Sequence, residues 1–177
     1  AIADLTQLLE DNRKEIDTLL AIEDKSYENF VKPFEMIDER LGWFFTPISH
    51  LNAVNNSEQT QEVYAAALPL LTEYGTEISQ NEEIYKAFKA IKTTQGTQLN
   101  QEQNQVLEHN IRDFELSGAH LDETKKARLK EINLRKSTLS NDFSQNLLNA
   151  TNAYELIIDK EEDVEGLPAS DKEAAKQ

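Results

Sequence analysis

AIADLTQLLEDNRKEIDTLL, residues 1–20, decides the fold class. Leu5, Leu8, Leu9, Asn12, Ile16, Leu19 and Leu20 recur at steps of three and four, so they share one face of an α-helix. Glu15 and Asp17 fall off that stripe, on the side left to water. The same period repeats along the rest of the chain. In SYENFVKPFEMIDERLGWFF, residues 26–45, the stripe is Phe34, Ile37, Leu41, Phe44 and Phe45. Pro33 removes a backbone donor and crowds the preceding turn, which predicts either a kink or a new helix with Pro33 in its first turn. The aromatic run Trp43-Phe44-Phe45 is expected in the core.

Helix starts and stops punctuate the pattern. Asn55-Asn56-Ser57 offers capping oxygens before a helix with Val63, Ala67, Leu70, Leu71 and Tyr74 on its buried face, and Pro69 predicts a kink within it. Asn81 caps a shorter helix with Ile84, Phe88 and Ile91 in register, and TTQGTQ, residues 93–98, forms a turn. Asn100 and Gln103 form a capping box before Val106, Leu107, Ile111 and Phe114, with Gly118 as the stop. Asp122 opens the longest helix, expected to reach about Asn149 and to be driven by Leu129, Ile132, Leu139, Phe143, Leu147 and Leu148. TNAYELIID, residues 151–159, loses the helical spacing and carries Tyr154, Ile157 and Ile158, as a short strand would. Gly166 and Pro168 mark a turn, and Ser170 to Glu173 spells another capping box. The expected fold is therefore mainly all-α, an antiparallel bundle of about six helices with a short strand-like segment near the C-terminus. Residues 1–152 form the helical lobe, and residues 153–177 a strand and turn leading out of it. A strand needs a partner and a helix of a few residues is marginal alone, so the chain reads as the front part of a longer protein.

Composition limits the function. The 177 residues carry a formal net charge of −15. Affinity for nucleic acid comes mainly from lysine and arginine neutralising phosphates, and anionic membranes attract the same residues, so neither is expected as a partner. The acidity reads as solvated surface. The chain has no cysteine, which removes disulfides and thiolate metal sites and fits a reducing cytoplasm. No apolar run approaches the ~20 residues of a membrane helix.

Chemistry-bearing motifs are few. His50, His109 and His120 are the three histidines, and no H-E-x-x-H joins any of them. His109 and Asp113 lie four apart and could face one side of a helix, but two ligands without a third make no metal site. Glu82-Glu83 and Glu161-Glu162 are sequence neighbours, which on a helix point apart. The basic run KKARLK, residues 125–130, with Arg135 and Lys136, reads as a wet helix face. No residue is assigned to catalysis, to a cofactor or to a metal.

Three blocks then carry a resemblance. HLNAVNNSEQTQEVYAAALPLLTEY (50–74), NIRDFELSGAHLDE (110–123) and FSQNLLNATNAYELIIDKEEDVEGLP (143–168) occur in order. They resemble the N-terminal helical region of the oligopeptidase A and thimet oligopeptidase family of zinc metallopeptidases. The most specific pieces are R-D-F-x-L-S-G-A-x-L at 112–121 and F-S-x-N-L-L-x-A-T-N at 143–152; Asn149 departs from the aspartate expected there. The resemblance implies a mostly helical enzyme with two lobes around a channel that admits short peptides. It also implies zinc held by the histidines of H-E-x-x-H and a later glutamate, with the motif's own glutamate as general base. None of those positions has a counterpart in this chain. The resemblance thus implies that residues 1–177 are a non-catalytic channel lobe, inactive alone, of a cytoplasmic and monomeric enzyme. Its substrates would be short peptides, handled together with a missing C-terminal catalytic domain. A dipeptidyl carboxypeptidase of the same family and a stand-alone helical scaffold are the alternatives.

Overall fold

A computed structural model describes residues 1–175. It is all-α, with seven α-helices and no strand among the described residues. They are α1 (Ile2–Leu20), α2 (Lys32–Val54), α3 (Glu58–Ser79), α4 (Glu82–Gln95), α5 (Gln101–Leu116), α6 (Glu123–Ala153) and α7 (Ala169–Ala174). A π-helical turn, Tyr27–Val31, precedes α2, and a 3-10 turn, Glu161–Val164, precedes α7. The chain divides into two compact units, Ala1–Asn141 and Asp142–Gln177.

In the first unit the apolar stripes lie where their spacing puts them. Leu5, Leu9, Asn12 and Ile16 are buried on α1; Phe34, Ile37 and Leu41 on α2; Ile84, Phe88 and Ile91 on α4; Leu107 and Phe114 on α5. Phe88 is the hub of the larger core cluster. Its ring meets Phe30 at 5.8 Å and Phe34 at 5.4 Å edge-on, and Phe114 at 5.6 Å in a tilted pair. Edge-to-face contacts bring the positive ring edge onto the negative ring face. A smaller cluster joins Leu5, Leu9, Leu41, Ala67 and Tyr74 across α1, α2 and α3.

The helix ends follow the expected chemistry. Ser57 and Asn100 each form a reciprocal capping box, with Thr60 and Gln103, and Asn81 accepts from the backbone of Glu83 and Ile84. These side chains satisfy first-turn N–H groups that have no partner inside the helix. Asp122 accepts from the Lys125 N–H at 2.9 Å. Gly118 takes φ +86°, and the next N–H, that of Ala119, turns back to the Phe114 carbonyl at 3.0 Å. A side chain at Gly118 would be strained at that angle and would also strike Leu121. Pro33 sits in the first turn of α2, the second of its two expected outcomes. Helix α3 runs continuously through Pro69.

Four expectations need correction. Trp43 is not core: it is 76% exposed, while Phe44 and Phe45 are half-buried against the smaller cluster. Consecutive residues on a helix point about 100° apart, so an aromatic triplet cannot all face inward. Ile132, Leu139, Phe143 and Leu147 do not drive α6 into a core; all four are exposed, and α6 has no buried residue. Within the first unit α6 meets α3 through polar side chains instead: Thr72 with Ser137 at 3.0 Å, Asn133 with Thr76 at 3.4 Å, and Lys130 with Glu73.

The third and fourth corrections lie in the second unit, where α6 continues to Ala153. Residues 154–160 form no strand, and Tyr154, Leu156, Ile157 and Ile158 are exposed. A strand's N–H and C=O groups need a ladder partner, and none is present among the described residues. The final helix starts one residue before Ser170, so Ser170 is not its cap; its Oγ contacts Asp171 Oδ1 at 3.1 Å.

Candidate functional site

The first unit holds a cavity of ≈ 430 Å³ where α1, α2, α3 and α5 face one another. Its floor is apolar, with Phe34, Ile37 and Leu41 from α2, Leu71 and Ile78 from α3, and Phe114 from α5. Three carboxylates border it: Glu35, Asp38 and Asp113. The α2 period explains the first two. Phe34 and Ile37 point into the core, and the residue after each falls to the flank of that stripe, at the cavity mouth.

The acids differ in their surroundings. Asp113 is next to its own cation, with Arg112 Nε at 3.3 Å. Glu35 accepts from Asn110 Nδ2 at 3.0 Å, and Asn110 also donates to the Val106 carbonyl. Burial of the Glu35 carboxyl raises its pKa above the ordinary value; the Asn110 bond opposes this and the charge of Asp38 adds to it. Tyr74 also lines the cavity, and burial raises its phenol as well. The Arg13 guanidinium lies 5.3 Å from the Tyr74 ring centroid and is forked onto Glu77 at 2.9 and 2.8 Å.

The histidines do not converge. His50 is exposed on α2 and His120 exposed in the turn after α5. His109 is exposed on α5, its Nε2 2.8 Å from Gln105 Nε2, while Asp113 turns to the cavity. The pair four residues apart therefore serves two different surroundings. Among the described residues no group of three or more histidine and acidic side chains could hold a metal. The donor set of the described residues does not fit a zinc centre. The basic run on α6 is largely paired on the surface: Lys125 with Asp122, Lys126 with Glu123, and Arg128 with Glu131. Among the described residues no helix is long and apolar enough to cross a membrane.

The cavity was not legible in the sequence. Its walls come from four helices, and spacing within one helix says nothing about which neighbour faces it. Only the flank positions Glu35 and Asp38, beside a strong apolar stripe, carried a hint.

Comparison with known proteins gives the chain its relatives. Residues 5–126 match the family model described as "Neurolysin/Thimet oligopeptidase, N-terminal domain". Oligopeptidase A of Haemophilus influenzae is 39% identical over 172 residues, covering 97% of this chain and 25% of the relative. Oligopeptidase A of Escherichia coli is 37% identical over 174 residues, 97% of this chain and 26% of the relative. Saccharolysin of Saccharomyces cerevisiae is 25% identical over 167 residues, 93% of this chain and 23% of the relative. The chain thus spans about a quarter of the length of these curated relatives. The match takes in α2 to α5 and most of α1, and with them the cavity between α1, α2, α3 and α5, and on it the chain belongs to the neurolysin/thimet oligopeptidase N-terminal domain family.

Proposed function

We propose that this chain is the non-catalytic, substrate-channel lobe of a zinc-dependent oligopeptidase that hydrolyses short peptides in the cytoplasm. The observation that carries the reading is the match to a quarter of the oligopeptidase A relatives, under a family description that names an N-terminal domain. The chain's own chemistry agrees with it. It has no H-E-x-x-H, and its histidines stand apart. Residues 1–152 act as the lobe and 153–177 as the passage towards the catalytic domain. That domain would hold the zinc, which polarises a water for attack on the peptide bond. The lobe's residues wall the channel, limit the size of what enters and contact the substrate. The enzyme acts as a monomer.

Exposed apolar side chains support a larger protein around this lobe. On α2, Met36, Trp43, Leu51 and Val54 recur near helical spacing and all face water. On α6, Ile132, Leu139, Phe143 and Leu147 do the same. Rows of large apolar side chains of this kind mark surfaces that other protein covers.

The test compares the 177-residue chain with the protein encoded by the whole reading frame, both supplied with zinc and a set of short peptides. The whole protein is expected to cut peptides internally, in a chelator-sensitive way, and the 177-residue chain to be folded and inert. Cleavage by the pure 177-residue chain would refute the lobe reading. Stepwise loss of dipeptides from the C-terminus would replace an oligopeptidase with a dipeptidyl carboxypeptidase.

A further inference from the structure

The cavity between α1, α2, α3 and α5 has features that core packing does not account for. Gly75 lies in the interior of α3 and lines it. Glycine inside a helix is destabilising relative to alanine. Gly75 has no positive φ, and a Cβ built on it meets nothing within 4 Å. Neither backbone geometry nor crowding in this chain calls for glycine at this position, and its effect is to leave that wall open.

The charges at the mouth are also uncompensated. Glu35 and Asp38 are one helical turn apart on α2, and among the described residues neither has a cation within ion-pair distance. The nearby cations are engaged elsewhere: Arg40 with Glu15, Arg112 with Asp113, Arg13 with Glu77 and Lys32 with Glu28. Two like charges a turn apart repel, and a cation between them removes that repulsion.

An apolar floor under a doubly acidic rim suits a ligand with an apolar stem and a cationic head. Arginine has that build. Its methylene stem packs on apolar surface, its guanidinium stacks on aromatic rings, and its fork of donors spans two carboxylates. We propose that this cavity binds the arginine side chain of a peptide, its stem along Phe34 and Phe114 and its guanidinium between Glu35 and Asp38. All of these contacts lie within the first unit of this chain, so the inference stands whether or not the oligopeptidase reading does.

The experiment is an NMR titration of the 177-residue chain with acetyl-Ala-Arg-Ala-amide. The control peptide carries citrulline in place of arginine, which keeps the shape and removes the charge. Saturable shifts are expected at the Gly75 amide and the Asn110 side-chain amide, with roughly tenfold weaker binding of the citrulline peptide. Glu35→Gln with Asp38→Asn should weaken arginine binding by about the same factor and leave citrulline binding unchanged. Gly75→Leu should fill the cavity and abolish both. Gly75→Ala, a milder change to the same wall, provides the control for folding: it should keep or raise the chain's thermal stability, alanine being the better helix former, and weaken binding. Equal affinity for the two peptides, shifts confined to other surfaces, or no saturable binding would each overturn the proposal.

Discussion

Arg40 on α2 reaches the fully buried Asn12 on α1: its Nη2 donates to Asn12 Oδ1 at 2.8 Å and to Glu15 Oε2 at 2.8 Å. Asn12 occupies a stripe position that an apolar residue would ordinarily fill. A buried polar atom without a partner is costly, and Arg40 supplies the partner of the Asn12 oxygen. Replacing Arg40 with Met keeps much of the stem and leaves the Asn12 oxygen unpaired. The expected loss is about 1–3 kcal/mol in urea unfolding. Glu15→Gln removes only an exposed partner and should cost under about 1 kcal/mol. Equal losses for the two variants would place the value of Arg40 in its surface ion pair rather than in the buried amide.

Phe88 and Trp43 make a matched contrast. Phe88 is fully buried and touches three other phenylalanines, so Phe88→Ala should cost about 3–5 kcal/mol. Trp43→Ala should change stability by no more than about 0.5 kcal/mol. Trp43 is the chain's single tryptophan, so its fluorescence reports this site alone. The folded chain should show the red-shifted, readily quenched emission of a wet indole. A blue-shifted, protected indole in the 177-residue chain would contradict its exposure.

The caps supply a separate, additive series. Ser57→Ala, Asn81→Ala and Asn100→Ala each remove an acceptor from a first-turn N–H, and each should cost about 1 kcal/mol. They lie at the starts of three different helices, so pairs of these substitutions should sum. Chemical denaturation of the singles and doubles checks this, and strong non-additivity would mean that the caps are coupled through the core.

Acid dependence follows from opposite pKa shifts. Glu35 has a raised folded pKa, so across the window from the ordinary carboxyl value up to that raised value the folded state holds more protons than the unfolded one. In that window stability rises as the pH falls. Glu73, Glu82, Glu108 and Asp122 have lowered folded values, chiefly through side-chain bonds to Lys130, Lys86, Lys92 and Lys125. Their contribution is present above the ordinary value and is lost as the pH falls through the lowered ones. Glu35→Gln should therefore flatten the upper part of the acid curve and leave its lower, steeper part in place. Urea midpoints measured from neutral pH downward test this, and an unchanged upper slope would remove Glu35 from the account.

The helices and their inward faces are legible in the residue order alone. Local rules govern both: steps of three and four residues set the stripe of α1, and Ser57, Asn81, Asn100 and Gly118 mark ends whose hydrogen bonds close within a few residues. Family membership was legible too: residues 5–126, which hold the first two of the three ordered blocks, match the N-terminal domain family. Which apolar residues stay wet depends instead on how the helices pack. Ile132, Leu139 and Phe143 have helical spacing as good as that of Ile84, Phe88 and Ile91, yet only the second set is buried. Periodicity says that a face exists, and burial depends on whether something packs against it. The cavity under Glu35 and Asp38 was decided at the same level, because its walls come from residues as far apart in sequence as Ile16 and Ser117, brought together only when four helices pack.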